Sequence, residues 1–246
     1  MANLRYKIIN DTASQAQGMD AGLRSYMVKV FGYMFFGLAL TGASSFGALY
    51  VPALQKMLFT VDAMGRVAPS GFTWLLFFVQ LGAVLYLSLR IQNLRASTAQ
   101  LVFWAYAALM GLTLSSIFLV YTGASLMRVF FITSSLFGAM SLYGYTTKKD
   151  LSSFGSLLFM GLIGILLASV VNLFMKSSAV EFVVSVLGVL IFTGLIAYDT
   201  QRIKELYYAH DSEEVQSKKA VMGALALYLD FINLFLFLLR FLGDRR

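Results

Sequence analysis

The stretch from Leu151 to Met175, LSSFGSLLFMGLIGILLASVVNLFM, decides the fold class of this chain. It contains neither a charged residue nor a proline. A helix that crosses the hydrocarbon core of a bilayer needs about 20 mostly apolar residues, because lipid offers no partner for an unpaired backbone group. The stretch therefore predicts a membrane-spanning helix. The three charged residues at 148–150 precede this helix and lie outside the hydrocarbon.

Six more apolar runs of similar length make the chain a polytopic membrane protein. Of its 246 residues, 59% are hydrophobic and 13% are charged, and the mean hydropathy is +0.76. Soluble domains are about 45–50% apolar and about 25% charged, so a water-soluble enzyme is excluded. We predict an all-α, seven-transmembrane-helix bundle with a polar cytoplasmic segment (1–27), a transmembrane domain (28–242) and a short tail (243–246). The other runs are Val28–Val51, Gly71–Leu89, Thr98–Tyr121, Ala124–Thr147, Val180–Tyr198 and Val221–Leu239.

Lysines and arginines predict the orientation of the bundle in the membrane. With the N-terminus in the cytoplasm, 12 of the 19 basic residues fall on the cytoplasmic side and 7 on the other. This excess follows the positive-inside rule and predicts that the C-terminus lies outside. The basic residues sit between apolar runs, so the net charge of +7 reports membrane topology and does not indicate nucleic acid as a partner.

Composition also excludes several kinds of site. The chain has no cysteine and one histidine, His210, which rules out disulfides, thiolate metal sites, a cysteine nucleophile and a histidine-rich metal cluster. We therefore expect no cofactor, and calcium only as a transported ion or weak ligand. The acidic residues near His210 lack the spacing of an EF-hand loop.

Two aspartates lie within or at the end of the last two apolar runs, where a charged residue is unfavourable. Asp230 has no other charge within nine residues on either side, and Asp199 ends the sixth run. A charge at the centre of a spanning helix costs about 3 kcal/mol on an insertion scale, so such a residue is usually functional. Because the two helices are adjacent in the chain, we expect the carboxyl groups to lie together and share a proton. Structural explanations stay open: Arg202 could pair with Asp199, and Asn233 could satisfy Asp230.

Four other polar residues within or at the ends of the runs are secondary candidates. Arg90 and Arg240 close apolar runs, where an arginine commonly reaches toward the interface as an anchor. Gln80 and Asn172 lie inside apolar runs.

Four segments resemble the transmembrane Bax inhibitor motif family, in its Bax inhibitor-1-like, bacterial form. The resemblance extends from Gly22 to Gly243, and the two aspartate motifs are specific when they occur in this order. It implies a seven-helix bundle in the bacterial inner membrane, with a pH-sensitive calcium leak. The segments are Gly111–Phe118, Lys148–Phe154, Ala197–Lys204 and Leu227–Phe235.

The resemblance also assigns roles to individual residues. Asp199 and Asp230 match the family's paired carboxylates, which sense pH and lie on the ion path. Arg90 resembles the arginine that latches the closed state by pairing with the second carboxylate. Arg240 matches an arginine that pairs elsewhere with a glutamate on the second helix, where the nearest candidate here is Gln80. Gln80 in place of that glutamate is a departure from the family pattern at the second ion pair.

Two other functions are compatible with the sequence. A non-conducting regulator would bind another membrane protein, such as a membrane protease, and the polar segment 1–27 offers a docking site. An intramembrane aspartyl protease is disfavoured, and we expect no enzyme. Tyr198-Asp199 matches half of that motif, but Tyr228-Leu229 replaces the Gly-x-Gly before the second aspartate, and Pro52 and Pro69 come too early for a Pro-Ala-Leu motif.

Overall fold

The computed structural model describes the backbone of residues 2–61 and 67–246 and the side chains of residues 20–61 and 67–246. It confirms the all-α membrane fold, since seven helices in these residues are long and apolar enough to cross a membrane. The first such helix covers Asp20–Tyr50 and is part of a longer helix. In chain order the elements are α1 (Ala2–Tyr50), α2 (Pro52–Leu58), β1 (Phe59–Val61), β2 (Val67–Pro69), α3 (Gly71–Arg90), α4 (Ala96–Leu114), α5 (Ile117–Val120), α6 (Gly123–Thr146), α7 (Ser152–Met175), α8 (Ser178–Glu205) and α9 (Glu213–Leu242).

Helix α9 is the central helix of the bundle. Of its most apolar stretch 67% is buried, against 11% for α7. It packs against α1, α4, α6 and α8, whereas α7 packs mainly against α8 and α3 mainly against α4. Any polar group in the middle of α9 is therefore enclosed by protein, while α3 and α7 present most of their surface to lipid.

The third apolar run is two helices rather than one. Helix α4 ends at Leu114 and α5 begins at Ile117, with a turn at Ser115 and Ser116 between them. The Ser115 hydroxyl donates to the Leu112 carbonyl oxygen at 2.6 Å, and the Ser116 hydroxyl donates to that of Thr113 at 3.1 Å. Hydroxyls of this kind compete with the helical hydrogen bonds, which explains the break.

The bundle has two ends, which we call the loop end and the C-terminal face. The loop end holds the α3–α4, α6–α7 and α8–α9 connections. Three contacts hold this end together: Lys218 Nζ donates to the Gln92 carbonyl oxygen at 3.0 Å, Gln201 Nε2 to that of Lys149 at 2.8 Å, and Lys29 Nζ to Ser217 Oγ at 2.7 Å. The C-terminal face is the opposite end, where the chain ends.

We predict that the loop end lies in the cytoplasm, because it carries most of the lysines and arginines. Reporter fusions at Lys148 and Ser212 are both expected to report a cytoplasmic location, since the α6–α7 and α8–α9 connections share this end. A fusion after Arg246 is expected to report the other side. Opposite locations for Lys148 and Ser212 would contradict the count of seven spans.

The tail after α9 is fastened to the C-terminal face. The Thr122 amide donates to the Asp244 carbonyl oxygen at 3.1 Å, and the Arg246 amide donates to that of Val120 at 2.9 Å. Two ion pairs reinforce this contact, Arg128–Asp244 at 2.9 Å and Arg245–Glu181 at 3.1 Å. The tail thereby links the α5–α6 turn to the start of α8.

Candidate functional site

Asp230 is a buried carboxyl group in the central helix. Its side chain is 5% exposed, and its Oδ2 atom has no hydrogen-bond partner among the described residues. Buried polar atoms in proteins are nearly always hydrogen-bonded, so an unpartnered carboxyl oxygen in the middle of α9 needs an explanation. Proton or ion binding would supply one.

Asp199 faces Asp230 from the neighbouring helix α8. Both residues line the same cavity, and each carboxyl group is close enough to act on the other. An ionised carboxylate only accepts hydrogen bonds, so a hydrogen bond between these groups requires a proton on one of them. The structure thus brings together the two aspartates that the sequence analysis paired.

Arg202 and Asn233 form no salt bridge or hydrogen bond with the aspartate pair among the described residues. Arg202 lies close enough for its charge to act on Asp199, yet it is exposed and forms no salt bridge within 4.0 Å among the described residues. Asn233 directs its Nδ2 atom to the Leu229 carbonyl oxygen at 2.8 Å. Neither residue supplies the missing partner of Asp230 Oδ2.

A cavity of 1120 Å³ contains the aspartate pair. Helices α3, α4, α7, α8 and α9 line it, and most of its wall is apolar. The polar residues of the wall include Gln80, Ser156, Ser169, Asp199, Asp230 and Asn233.

A second cavity of 640 Å³ lies toward the C-terminal face. It shares Leu166 and Ser169 of α7 with the first cavity, so the two adjoin. Its polar residues are Ser169, Asn172, Lys176, Glu181 and Arg240. Together the two cavities extend along α7 from Gly155, near the loop end, to Lys176 at the C-terminal face.

The structure places the remaining candidates at different positions. Gln80 is buried and donates to the Leu109 carbonyl oxygen at 3.0 Å and to Thr113 Oγ1 at 2.6 Å, which fixes α3 to α4. Arg240 lines the second cavity, with its guanidinium over the Phe237 ring at 5.7 Å. Gln80 and Arg240 therefore belong to different cavities, and no hydrogen bond joins them among the described side chains. Arg90 is exposed at the last residue of α3 and lines neither cavity.

One residue close to the pair escaped the sequence analysis. Gln201 is buried on α8, where its Oε1 atom accepts from the Leu151 amide at 2.8 Å and its Nε2 atom donates to the Lys149 carbonyl oxygen at 2.8 Å. It ties the α6–α7 loop to the helix that carries Asp199. The only sequence feature that pointed to Gln201 was its polar side chain two residues after Asp199. Such a residue is equally typical of a helix end in water.

A resident metal site is not found in the described part of the chain. No group of three or more histidine, cysteine, aspartate or glutamate side chains comes together there. Calcium prefers six to eight oxygen ligands, so two carboxylates with neutral oxygens around them suit weak and transient binding.

Comparison with known proteins gives a consistent result over nearly the whole chain. Residues 23–246 match the family described as inhibitor of apoptosis-promoting Bax1. The inner membrane protein YbhL of Escherichia coli is 50% identical over 228 residues, which cover 92% of this chain and 94% of YbhL. The protein RP147 of Rickettsia prowazekii is 48% identical over 235 residues, 96% of each chain. A membrane protein of Streptococcus pyogenes is 36% identical over 237 residues, which cover 96% of this chain and 99% of that protein.

Proposed function

Because the chain belongs to the Bax inhibitor-1-like transmembrane family, an integral membrane family, we propose that it forms a calcium leak path gated by protonation of Asp199 and Asp230. The observation that carries the proposal is the carboxyl pair of half-buried Asp199 and buried Asp230 inside a cavity system as long as the bilayer core. Gly155 and Lys176 are 21 residues apart on α7, which corresponds to about 31 Å at about 1.5 Å per residue. The hydrocarbon core is about 30 Å thick.

The chemistry of the pair suits passage of a divalent cation rather than its storage. Conduction requires a site that attracts the ion yet releases it, because a tight site would stop the flow. Asp199 and Asp230 provide negative charge, and Asn233 and Ser169 add neutral oxygens along the same wall. Water would complete the calcium shell within a cavity of this size.

Protonation supplies the gate in this proposal. Adding protons to Asp199 and Asp230 removes ligand charge from the path and also removes the partner of any arginine that pairs with them. The pH therefore shifts the balance between conducting and closed conformations. The switch is local, and it acts on the path because the pair lines the first cavity.

Ion flux through the purified chain in liposomes, measured against pH, tests the proposal. We expect calcium entry that depends on the protein and changes with pH, because protonation of the carboxyl pair removes negative charge from the path. Liposomes without protein provide the baseline. Absence of flux at every pH, with folded protein in the membrane, would contradict the proposal and favour a non-conducting regulator.

Arg90→Ala tests the latch separately. Arg90 lies outside the cavity in this structure, so pairing with Asp230 requires a second conformation in which α3 moves. In the Arg90→Ala variant this closed state loses a charge-assisted contact of about 1.5–3 kcal/mol. We therefore expect basal calcium flux to rise and its pH dependence to weaken. Arg95→Ala is the matched control, because Arg95 is an exposed arginine in the same connection. Equal flux in both variants and the parent chain would return Arg90 to the role of interface anchor.

A further inference from the structure

The second cavity carries an excess of positive charge at the C-terminal face. Lys176 and Arg240 line it, and neither has a carboxylate partner among the described residues. Glu181 is the one carboxylate in the described lining, and its Oε1 atom accepts from Arg245 at 3.1 Å. The charge of Glu181 is therefore already balanced, and that of Lys176 and Arg240 is not.

Two further features bear on anion binding by the second cavity, which forms the mouth of the path at the C-terminal face. The Oδ1 atom of Asn172 accepts from the Ser177 amide at 3.0 Å, which leaves its Nδ2 atom available as a donor. Lys176 has a left-handed backbone with φ of 51°, a conformation that glycine or asparagine adopts more readily than lysine. Asparagine is therefore the replacement for Lys176 that best keeps this backbone conformation.

The surface next to these donors is apolar and accessible. Val170 and Leu173 line the same cavity and are 55% and 72% exposed, and Phe174 beside them is 84% exposed. These side chains lie on the lipid-facing helix α7, within the hydrocarbon. A ligand that fits here has an anionic group for the two cations and a chain that stays in the apolar phase.

We propose that the mouth binds an anionic phospholipid from the leaflet at the C-terminal face. Lys176 and Arg240 hold the phosphate, Asn172 adds a hydrogen bond, and one acyl chain lies along α7 over Leu173 and Val170. An inorganic phosphate ion would satisfy the cations but leave the apolar wall uncovered. The charge and the apolar surface together favour the lipid.

A consequence for ion flow rests on the proposed function. Two unbalanced cations at the mouth repel calcium, and an anionic headgroup bound between them cancels this repulsion. Calcium flux is therefore expected to be higher in bilayers that contain phosphatidylglycerol than in bilayers of phosphatidylcholine alone.

Lipid retention by the purified full-length chain tests the site without measuring flux. Native mass spectrometry with mixed phosphatidylglycerol and phosphatidylcholine is expected to show preferential retention of phosphatidylglycerol. Removing each cation should reduce this preference about fivefold, the effect of about 1 kcal/mol for a basic residue near an anionic lipid. The variants are Lys176→Asn, which keeps a residue suited to the left-handed backbone, and Arg240→Gln. Lys56→Gln removes a cation from exposed α2 outside the cavity and is expected to leave the preference unchanged.

The possible outcomes separate the two proposals. Equal retention of both lipids, or an unchanged preference in the Lys176→Asn/Arg240→Gln double variant, would overturn the lipid site. Displacement of phosphatidylglycerol by millimolar inorganic phosphate would also overturn it, in favour of a free-anion site. Selective retention without calcium flux in either bilayer would uphold the lipid site and contradict the leak path.

Discussion

Asp199→Asn and Asp230→Asn are each expected to abolish most of the pH response of calcium flux, and the double variant is expected to add little. Asparagine keeps the size of the side chain and much of its hydrogen bonding but removes one titrating group. When two carboxyl groups share a proton, their titration belongs to the pair, so either substitution destroys it. Residues that act as a unit give non-additive effects, commonly about 0.5–3 kcal/mol of coupling.

The measurement is calcium flux in liposomes from pH 5 to 8 for the parent chain, both single variants and the double variant. Asp150→Asn is a suitable control at the loop end. The Asp150 Oδ1 atom accepts from the Ser152 amide at 2.8 Å, and hydrogen bonding with Ser152 lowers the pKa of this exposed carboxyl group. Asp150 therefore stays ionised throughout the experiment, and its replacement is expected to leave the pH profile unchanged.

One pattern of results would contradict the pair model. If Asp199→Asn left the profile intact while Asp230→Asn abolished it, Asp230 would be a lone sensor. Asp199 would then be a boundary charge that interacts with Arg202. The burial difference between the two makes this the sharpest alternative, because Asp230 is enclosed and Asp199 is only half-buried.

The number of spanning helices could be predicted from the sequence because each span requires a long, mostly apolar helix, and the residues of a segment show this directly. The run Leu151–Met175 corresponds to α7 at Ser152–Met175, and Gly71–Leu89 corresponds to α3 at Gly71–Arg90. The juxtaposition of Asp199 and Asp230 was also accessible, since helices joined by a short loop are antiparallel neighbours. Both inferences rest on properties that do not depend on side-chain packing.

Other features depend on packing and were not visible. In a helix that is apolar on all sides, the sequence does not distinguish the buried face from the lipid-facing one. The central position of α9 and the two cavities follow from those faces. The sequence also did not reveal the break after Leu114, the antiparallel pairing of β1 with β2 or the fastening of the tail, because each results from a few hydrogen bonds.

Gly144→Ala is expected to lower the thermal stability of the bundle and to disturb the helix that carries Asp199. A Cβ atom at Gly144 of α6 would lie less than 3.0 Å from backbone atoms of Ala197 in α8. Backbone atoms cannot move aside as a flexible side chain does, so α6 and α8 must separate. Overpacking of this kind costs about 1–3 kcal/mol, more than the roughly 1 kcal/mol that alanine gains over glycine in a helix.

Gly138→Ala is the matched control, because Gly138 lies on the same helix and an added Cβ atom there meets nothing within 4 Å. Gly138→Ala is expected to keep or raise the melting temperature in detergent, and Gly144→Ala to lower it by several degrees. Since Ala197 precedes Asp199 by two residues, Gly144→Ala is also expected to alter the pH profile of calcium flux. Equal melting temperatures for the two variants would show that α6 and α8 are not in close contact at Gly144. A lowered melting temperature with an unchanged pH profile would instead show that the position of α8 does not control the aspartate pair.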